Sequence, residues 1–168
     1  TSFAKTHIGQ RTTNEDSILV DEKLGLYIVA DGVGGLQKGE VASSAACQQV
    51  LKCIKQGKKL DHSVYQAHGA IVDLIESNHS KQGMATTIAA VLFEGNKYQI
   101  SWVGDTRVYL WDGKLKLLTK DDSYVEILLE NGHINIEDLE THPDRNVITQ
   151  ALGMTRKEVT INSNSGTL

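Results

Sequence analysis

Acidic side chains and one arginine stand close together in the first 31 residues, and their types suit chemistry on a phosphate. Glu15 and Asp16 precede one run of strand-forming residues, and Asp31 ends the next run. If the two runs pair as antiparallel strands, Asp16 and Asp31 fall at the same open end, where the acids can converge. Clustered carboxylates bind divalent cations, and an arginine such as Arg11 binds phosphate oxygens through two N–H groups. We therefore expect metal-assisted phosphoryl chemistry at this end of the hairpin.

The glycine-rich segment 31–35 that follows the second run has two other interpretations. A strand, a glycine loop and a helix in succession are typical of a loop that cradles a nucleotide phosphate. Here Gln37 stands where the third glycine of that pattern belongs, and no Gly-Lys-Ser/Thr follows. Asp31 also puts an anion where the phosphate would bind. An aspartate before glycines is, in addition, a common turn former. The presence of Arg11 and two further acids nearby favours a cation site over both interpretations.

The composition of the chain predicts a single domain, residues 1–168, that is soluble and cytoplasmic. Hydrophobic residues make up 40% of it and charged residues 23%, and the net charge of -4 lacks the basic excess that nucleic acid or an anionic membrane would attract. The longest apolar stretch, 85–93, is too short to cross a bilayer, and the N-terminus has no signal-peptide pattern. Cys47 and Cys53 are expected to be buried, reduced thiols.

The elements that must position the acids follow from the periodicity of apolar side chains. Strand-forming residues on either side of a charged turn predict an antiparallel pair at 17–22 and 24–30. Apolar residues at helical spacing predict two amphipathic helices, from Val41 to Ile54 and from Val64 to Ile75. The remaining predicted elements are a β-meander of strands 86–93, 98–103, 107–111 and 115–118, two short helices at 124–132 and 136–140, and a strand at 159–161. This order indicates an α+β fold with mainly antiparallel sheets.

Five short motifs follow one another along the chain. They are Arg11-Thr-Thr-Asn-Glu-Asp16, Asp31-Gly-Val-Gly-Gly35 with Gly39-Glu-Val-Ala-Ser43, Gly83-Met-Ala-Thr-Thr87, Val103-Gly-Asp-Thr-Arg107 and His142-Pro-Asp-Arg-Asn-Val-Ile-Thr149. In this order they resemble the motifs of the metal-dependent serine/threonine protein phosphatases, the PPM or type 2C family, and most closely its bacterial branch. The resemblance covers essentially the whole chain. It implies a four-layer α-β-β-α sandwich of helices around two mainly antiparallel sheets, with a two-metal centre at one edge.

The resemblance also assigns roles to the residues at the open end of the predicted hairpin. Asp31 matches the carboxylate that bridges two Mn²⁺ or Mg²⁺ ions, and the backbone carbonyl of Gly32 matches a ligand of one of them. Glu15 and Asp16 match the acids that hold metal-bound waters. The implied reaction is hydrolysis of phosphoserine or phosphothreonine in proteins by a metal-activated water.

Arg11 and Asp105 complete the implied site. Arg11 matches the phosphate-binding arginine of the family, and Asp105 matches an acid of a third, weaker metal site in bacterial members. A simpler interpretation of Asp105 is a surface ion pair with Arg107 at the end of a strand. The motif that contains both residues favours the metal site.

The second half of the chain resembles the family in part. Segment 121–153 corresponds to a flap-like region that shapes substrate access, with Asp122 in place of the histidine of the family's Asp-His-Ser. Family members continue past a strand like 159–161 into further strands and a helix, where a Ser-Asp-Gly and an Asp-Asn motif each add an aspartate to the first metal. This chain ends at Leu168, before both motifs. We therefore expect the domain to lack its last strands and helix and the gene product to be longer.

Two functions remain open from the sequence. One is metal-dependent phosphatase activity, and the other is a catalytically silent, truncated domain that binds a phosphoprotein or regulatory partner through the region of Arg11. The implied partners are a phosphorylated protein substrate and a cognate serine/threonine kinase, with no nucleic acid and no membrane. A shortened chain would also expose apolar sheet surface, which favours self-association.

Overall fold

A hairpin near the N-terminus places the first group of acids. The computed structural model describes residues 1–34, 38–78, 82–155 and 158–168. Strands Asp16–Asp21 (β1) and Leu26–Val33 (β2) are antiparallel, with Asp16 opposite Asp31. Gly25 permits the turn between them, because its φ of 68° is left-handed and a Cβ there would lie 2.6 Å from the backbone oxygen of Phe93. The predicted antiparallel pair is confirmed.

Two long helices cover one face of the sheet. They are Lys38–Lys55 (α1) and Leu60–Ser77 (α2), as the helical spacing of apolar residues predicts. In α1 the fully buried Ala42, Ala46 and Val50 repeat every four residues and form one face of the helix. The small alanines allow α1 to pack closely on the sheet, and both helices contribute to the main hydrophobic core.

The main sheet is antiparallel and has six strands in the described residues. The strands of the second half of the chain are Ala85–Thr86 (β3), Ile88–Glu94 (β4), Lys97–Val103 (β5), Tyr109–Trp111 (β6), Leu115–Leu117 (β7) and Asn162–Thr167 (β8). The order of the main sheet is β1-β2-β4-β5-β8, and β3 pairs with the end of β2. The sequence predicts a strand at 159–161, whereas the strand in this part of the chain is β8, which begins at Asn162. Its polar sequence has no strand periodicity, and pairing with β5 decides where it begins.

Strands β6 and β7 form a separate hairpin, so the predicted meander is wrong beyond β5, whose outer neighbour is β8. Val108 and Leu118, which flank the hairpin, pack against Ile100 and Trp102 on the face of the main sheet opposite the helices. In the described residues, the helices α1 and α2, the main sheet and the β6–β7 hairpin thus follow one another as layers. The α+β class with antiparallel sheets is confirmed.

The segment after β7 contains the two short helical elements that the sequence predicts. Helix Tyr124–Glu130 (α3) begins after Ser123, whose side chain accepts a hydrogen bond from the Glu126 N–H, 3.4 Å away. A 3₁₀ turn follows at Ile136–Asp138, and the Asp138 carboxylate accepts a hydrogen bond from the N–H of Asn135 at 2.9 Å.

The two cysteines, Cys47 and Cys53, are free and buried, as predicted. Burial raises the pKa of the Cys47 thiol to about 12. Within the four described ranges, no helix combines the length and the hydropathy needed to cross a membrane. Residues 35–37, which include the end of the glycine segment, lie outside the described residues.

Candidate active site

Asp16 and Asp31 face each other at the open end of the β1–β2 hairpin, as their positions in the sequence predict. Asp31 is exposed as a residue, but neighbouring protein atoms crowd its carboxyl group, and this desolvation raises the pKa of Asp31 to about 6. The negative charges of Asp16 and Asp105 add to the rise. The site therefore holds more negative charge than its surroundings neutralise.

Glu15 is directed to the start of α1. Its carboxylate accepts a hydrogen bond from the N–H of Gly39 at 3.3 Å, and its backbone carbonyl accepts one from the Ser43 hydroxyl at 2.7 Å. Successive side chains of an extended chain point to opposite sides, so Glu15 and Asp16 diverge. The Glu15 carboxylate lies at the start of α1, where Gly39 packs closely on Gly32. That Glu15 belongs to the metal site stays a prediction.

Close backbone packing surrounds Gly32. A Cβ at this position would lie 2.3 Å from the carbonyl oxygen of Gly39 and 2.5 Å from that of Glu15. No real Cβ tolerates such distances, so any other residue would force the hairpin and α1 apart. Glycine is therefore required for the backbone next to Asp31 to pack on the start of the helix.

Arg11 and Asp105 act on the carboxyl of Asp31 through their charges. The Arg11 guanidinium lowers the pKa of Asp31, whereas the Asp105 carboxylate raises it. Asp105 is itself half-buried, and this burial raises its own pKa, with a further contribution from the charge of Asp121. The structure thus brings Asp105, which is distant in the sequence, into the region of Asp16, Asp31 and Arg11.

Arg107 binds Asp121 instead of Asp105. Its Nε lies 2.9 Å from one carboxylate oxygen of Asp121, and its Nη2 lies 2.7 Å from the other. This two-pronged contact raises the pKa of Arg107 above its ordinary value. Arg107 thus forms its surface ion pair with Asp121, and not with Asp105 as the simpler interpretation of Asp105 required.

The donor set suits one side of a site for a hard divalent cation. Among the residues that the structure describes, no three His, Cys, Asp or Glu side chains form a group that could hold a metal ion. The carboxylates of Asp16 and Asp31 nevertheless face each other, and the charge of Asp16 helps to raise the pKa of Asp31. A cation would stabilise this pair, since it removes their mutual repulsion. The residues present therefore fit part of a cation site, and water or other protein groups would have to supply the remaining ligands.

A family model described as Protein phosphatase 2C matches residues 4–147, a range that includes all the residues of this site. The chain belongs to the protein phosphatase 2C family. Among named relatives, the serine/threonine protein phosphatase PstP of Mycobacterium tuberculosis is 38% identical over 149 residues. That match covers 84% of this phosphatase 2C chain and 29% of PstP, so the chain spans less than a third of this relative's length.

Solved structures share the fold of this phosphatase 2C chain. Stp1 of Staphylococcus aureus, a serine/threonine phosphatase, superposes with a TM-score of 0.85 at 28% identity, over 99% of this chain and 70% of Stp1. The catalytic domain of PstP in complex with two manganese ions superposes with a TM-score of 0.75 at 34% identity, over 92% of this chain and 67% of that domain. The resemblance inferred from the five motifs is confirmed.

Two buried threonines position Asp31, although the sequence motif that contains them assigns them no role. The backbone carbonyl of Asp31 accepts hydrogen bonds from the Thr86 hydroxyl at 3.0 Å and from the Thr87 N–H at 2.9 Å. The Thr87 hydroxyl oxygen in turn lies 2.6 Å from that of Thr106, next to Asp105. The signal available in the sequence was two consecutive hydroxyl residues at the start of an otherwise apolar strand.

Asp122 joins three parts of this phosphatase 2C fold. Its carboxylate accepts hydrogen bonds from the N–H of Gly104 at 2.8 Å and from Nδ2 of Asn162 in β8 at 3.0 Å. Its backbone carbonyl accepts one from the N–H of Thr149 at 2.8 Å. Gly104 immediately precedes Asp105, so Asp122 holds the loop that carries Asp105 in place.

Proposed function

We propose that this chain carries part of the catalytic centre of a metal-dependent phosphatase that hydrolyses phosphoserine and phosphothreonine in proteins. The facing carboxylates of Asp16 and Asp31, with the Arg11 cation acting on Asp31, are the observation that carries the proposal. Such a site supplies negative charge for cations and a fork of N–H donors for a phosphate within the same region. The named phosphatase relatives support the same reaction.

The side chains divide the work of the reaction between them. Asp31 and the Gly32 carbonyl would hold divalent cations, and Asp16 and Glu15 would hold the water molecules bound to those cations. Glu15 also anchors the start of α1. Arg11 binds and orients the phosphoryl oxygens. Bound cations supply a lowered pKa for water and neutralise charge on the phosphoryl group.

Asp105 provides a further acid for a more weakly held cation. Manganese is the first candidate, since the PstP catalytic domain is described in complex with two manganese ions. Magnesium, another hard cation that prefers oxygen ligands, is the second.

The setting of this activity is signalling in a bacterial cytoplasm. A phosphorylated protein is the substrate, and a serine/threonine kinase produces that substrate. Residues 1–168 serve as one phosphatase-like domain, in which the flap-like region 121–153 shapes the approach to the site.

Hydrolysis of p-nitrophenyl phosphate and of a phosphothreonine peptide tests the proposal, using the natural gene product that contains this chain. We expect turnover that requires Mn²⁺ or Mg²⁺ and falls about a hundredfold in Asp31→Asn. Arg11→Lys keeps the charge but loses the fork, so KM should rise about tenfold. Asp73→Asn, an exposed change on α2, is the matched control and should leave both constants unchanged.

Two results would contradict the proposal. Turnover that survives Asp31→Asn would place the chemistry elsewhere. Tight binding of the phosphopeptide by the unmodified protein, without release of phosphate in any metal, would favour a silent binding domain.

A further inference from the structure

A groove with a volume of about 790 Å³ opens beside Asp105. Strand β7 and the residues after it form one wall, and α3 with the 3₁₀ turn forms the other. The volume lies within the range of about 300–1,000 Å³ that is typical of clefts that bind ligands. The groove borders the candidate active site, because Asp105 belongs to that site and also lines the groove.

The groove combines an apolar lining with an acidic one. The apolar side chains come from both walls: Leu117, Val125, Leu129, Ile136 and Leu139. Ile136 is 69% exposed and Leu117 is 47% exposed, so these side chains are available for contact. Apolar surface that is exposed within a concave site is typical of surfaces that bind a partner.

The cations of the groove are largely neutralised. Arg107 is bound to Asp121 at 2.7 Å, and Lys120 is bound to Glu130, which lies outside the groove. In these two ion pairs, the positive charges of Arg107 and Lys120 are balanced, so they contribute little to the electrostatic potential inside the groove. Of the cations that line the groove, this leaves Arg145, whose Nη1 lies 3.5 Å from a backbone carbonyl oxygen.

The acids of the outer wall carry most of the remaining charge. Glu126, Glu137 and Glu140 line the groove, and the charge of Glu126 already acts on Lys120, whose pKa it helps to raise. In the parts of the chain that the structure describes, no ion pair involves Glu137 or Glu140. A ligand segment in the groove would therefore meet two free carboxylates beside an apolar surface.

We propose that this groove binds the polypeptide that flanks the phosphorylated residue, and that it selects substrates with a lysine or arginine and an apolar residue near the phosphoserine or phosphothreonine. Charge complementarity assigns the basic side chain to Glu137 and Glu140, and the apolar side chain to Ile136 and Leu139. This inference rests on the proposed phosphatase function and names its substrate class.

The test compares three substrates in the natural gene product with Mn²⁺. Two are phosphothreonine peptides of equal length, one with arginine and leucine beside the phosphothreonine and one with glutamate and serine there. The third is p-nitrophenyl phosphate, which has no polypeptide to place in the groove. Wild-type kcat/KM should be about tenfold higher for the basic peptide than for the acidic one.

The variant Glu137→Lys with Glu140→Lys should reverse this preference. Both side chains are exposed, and Asp138, which binds the backbone of the 3₁₀ turn, is left unchanged. Hydrolysis of p-nitrophenyl phosphate should stay within about twofold, since exposed charges act weakly at a distance. Asp73→Lys with Glu76→Lys makes the same change in net charge on exposed positions of α2 and should leave the preference as in the wild type.

The apolar part of the groove has its own variants. Ile136→Ser should lower kcat/KM for the leucine-containing peptide by about threefold, whereas Ile136→Leu should not. Because Ile136 is exposed, neither change threatens the fold.

Several outcomes would overturn the inference. They are an unchanged preference in the double lysine variant, the same reversal in the α2 control, and an equal loss on all three substrates. Failure of the proposed function is distinct from these, because it would show as an absence of metal-dependent p-nitrophenyl phosphate turnover in the wild type.

Discussion

Thr87 is joined to the backbone of Asp31 by two hydrogen bonds. The Thr87 N–H donates to the carbonyl of Asp31 at 2.9 Å, and the N–H of Asp31 donates to the Thr87 hydroxyl oxygen at 3.3 Å. Thr87 is 1% exposed, and its hydroxyl also contacts that of Thr106 at 2.6 Å. The buried side chain of Thr87, one residue before β4, thus connects the end of β2 to the loop that carries Asp105.

The hydroxyl of Thr87 should therefore be needed for both stability and metal binding. Thr87→Val removes the acceptor of the Asp31 N–H and leaves it unpaired, which should lower the free energy of unfolding by about 2 kcal/mol. The concentration of Mn²⁺ at half-maximal activity should rise. Thr87→Ser keeps the hydroxyl and is the matched control, so its Mn²⁺ requirement should match the wild type. Urea unfolding and metal titrations measure the two effects, and equal behaviour of both variants would contradict the role of the hydroxyl.

Gly32 should tolerate no side chain. Gly32→Ala places a Cβ 2.3 Å from the carbonyl oxygen of Gly39 and should destabilise the fold by about 3 kcal/mol. Gly69→Ala is the control, because a Cβ there meets nothing within 4 Å and an alanine in α2 should add about 0.5–1 kcal/mol. Thermal unfolding of both variants checks this, and a neutral Gly32→Ala would mean that the hairpin and α1 are less closely packed than described.

Asp31 should make the metal-free fold less stable as pH rises. Its pKa in the folded chain is about 6, above its ordinary value of 3.8, so the folded state holds the proton more tightly than the unfolded state. The contribution of Asp31 therefore falls as pH rises from 3.8 to about 6 and stays low above that. Asp31→Asn should stabilise the metal-free protein at neutral pH by about 1 kcal/mol, a figure reduced for the exposure of the residue.

The pH dependence of the stability gain shows whether the gain comes from removing the Asp31 charge or from another consequence of the substitution. The gain from Asp31→Asn should vanish near pH 3.8, and added Mn²⁺ should stabilise the wild type more than the variant. Unfolding curves in a chelator across this pH range measure it. A gain of equal size at all pH values would show that the Asp31 charge is not its cause.

Asp122 and Asn162 should behave as an energetically coupled pair. Asn162→Asp sets two carboxylates against each other and should cost about 1–2 kcal/mol. Adding Asp122→Asn restores one donor and one acceptor, so the double variant should recover most of the loss, while the Gly104 N–H keeps its acceptor. A double-mutant cycle in urea measures the coupling, and simple additivity of the two changes would contradict it.

Local patterns were sufficient for much of the fold and part of the site. A short charged turn between two strand-forming runs places Asp16 opposite Asp31, because pairing across a hairpin depends on residues close in sequence. Helical spacing of apolar residues located α1 and α2 for the same reason. The five ordered motifs then identified the family, and the match over residues 4–147 agrees.

Local patterns failed where the outcome depends on distant packing. The meander predicted β6 beside β5, but β8 occupies that position and β6 pairs with β7. Strand β8 is polar, so its sequence has little of the apolar alternation that identifies a strand. Its position depends instead on the backbone N–H and C=O groups of β5 with which it pairs.

Patterns in the sequence were enough to predict the kinds of elements, their order, the family and the candidates Asp16, Asp31, Arg11 and Asp105. The surroundings of these residues depend on how the elements pack in the folded chain. Thr87 reaches Asp31 across 56 residues and Asp122 reaches Asn162 across 40, distances at which no propensity or periodicity acts. Such contacts form because buried polar groups must find partners once the layers have packed, and that requirement belongs to the folded chain as a whole.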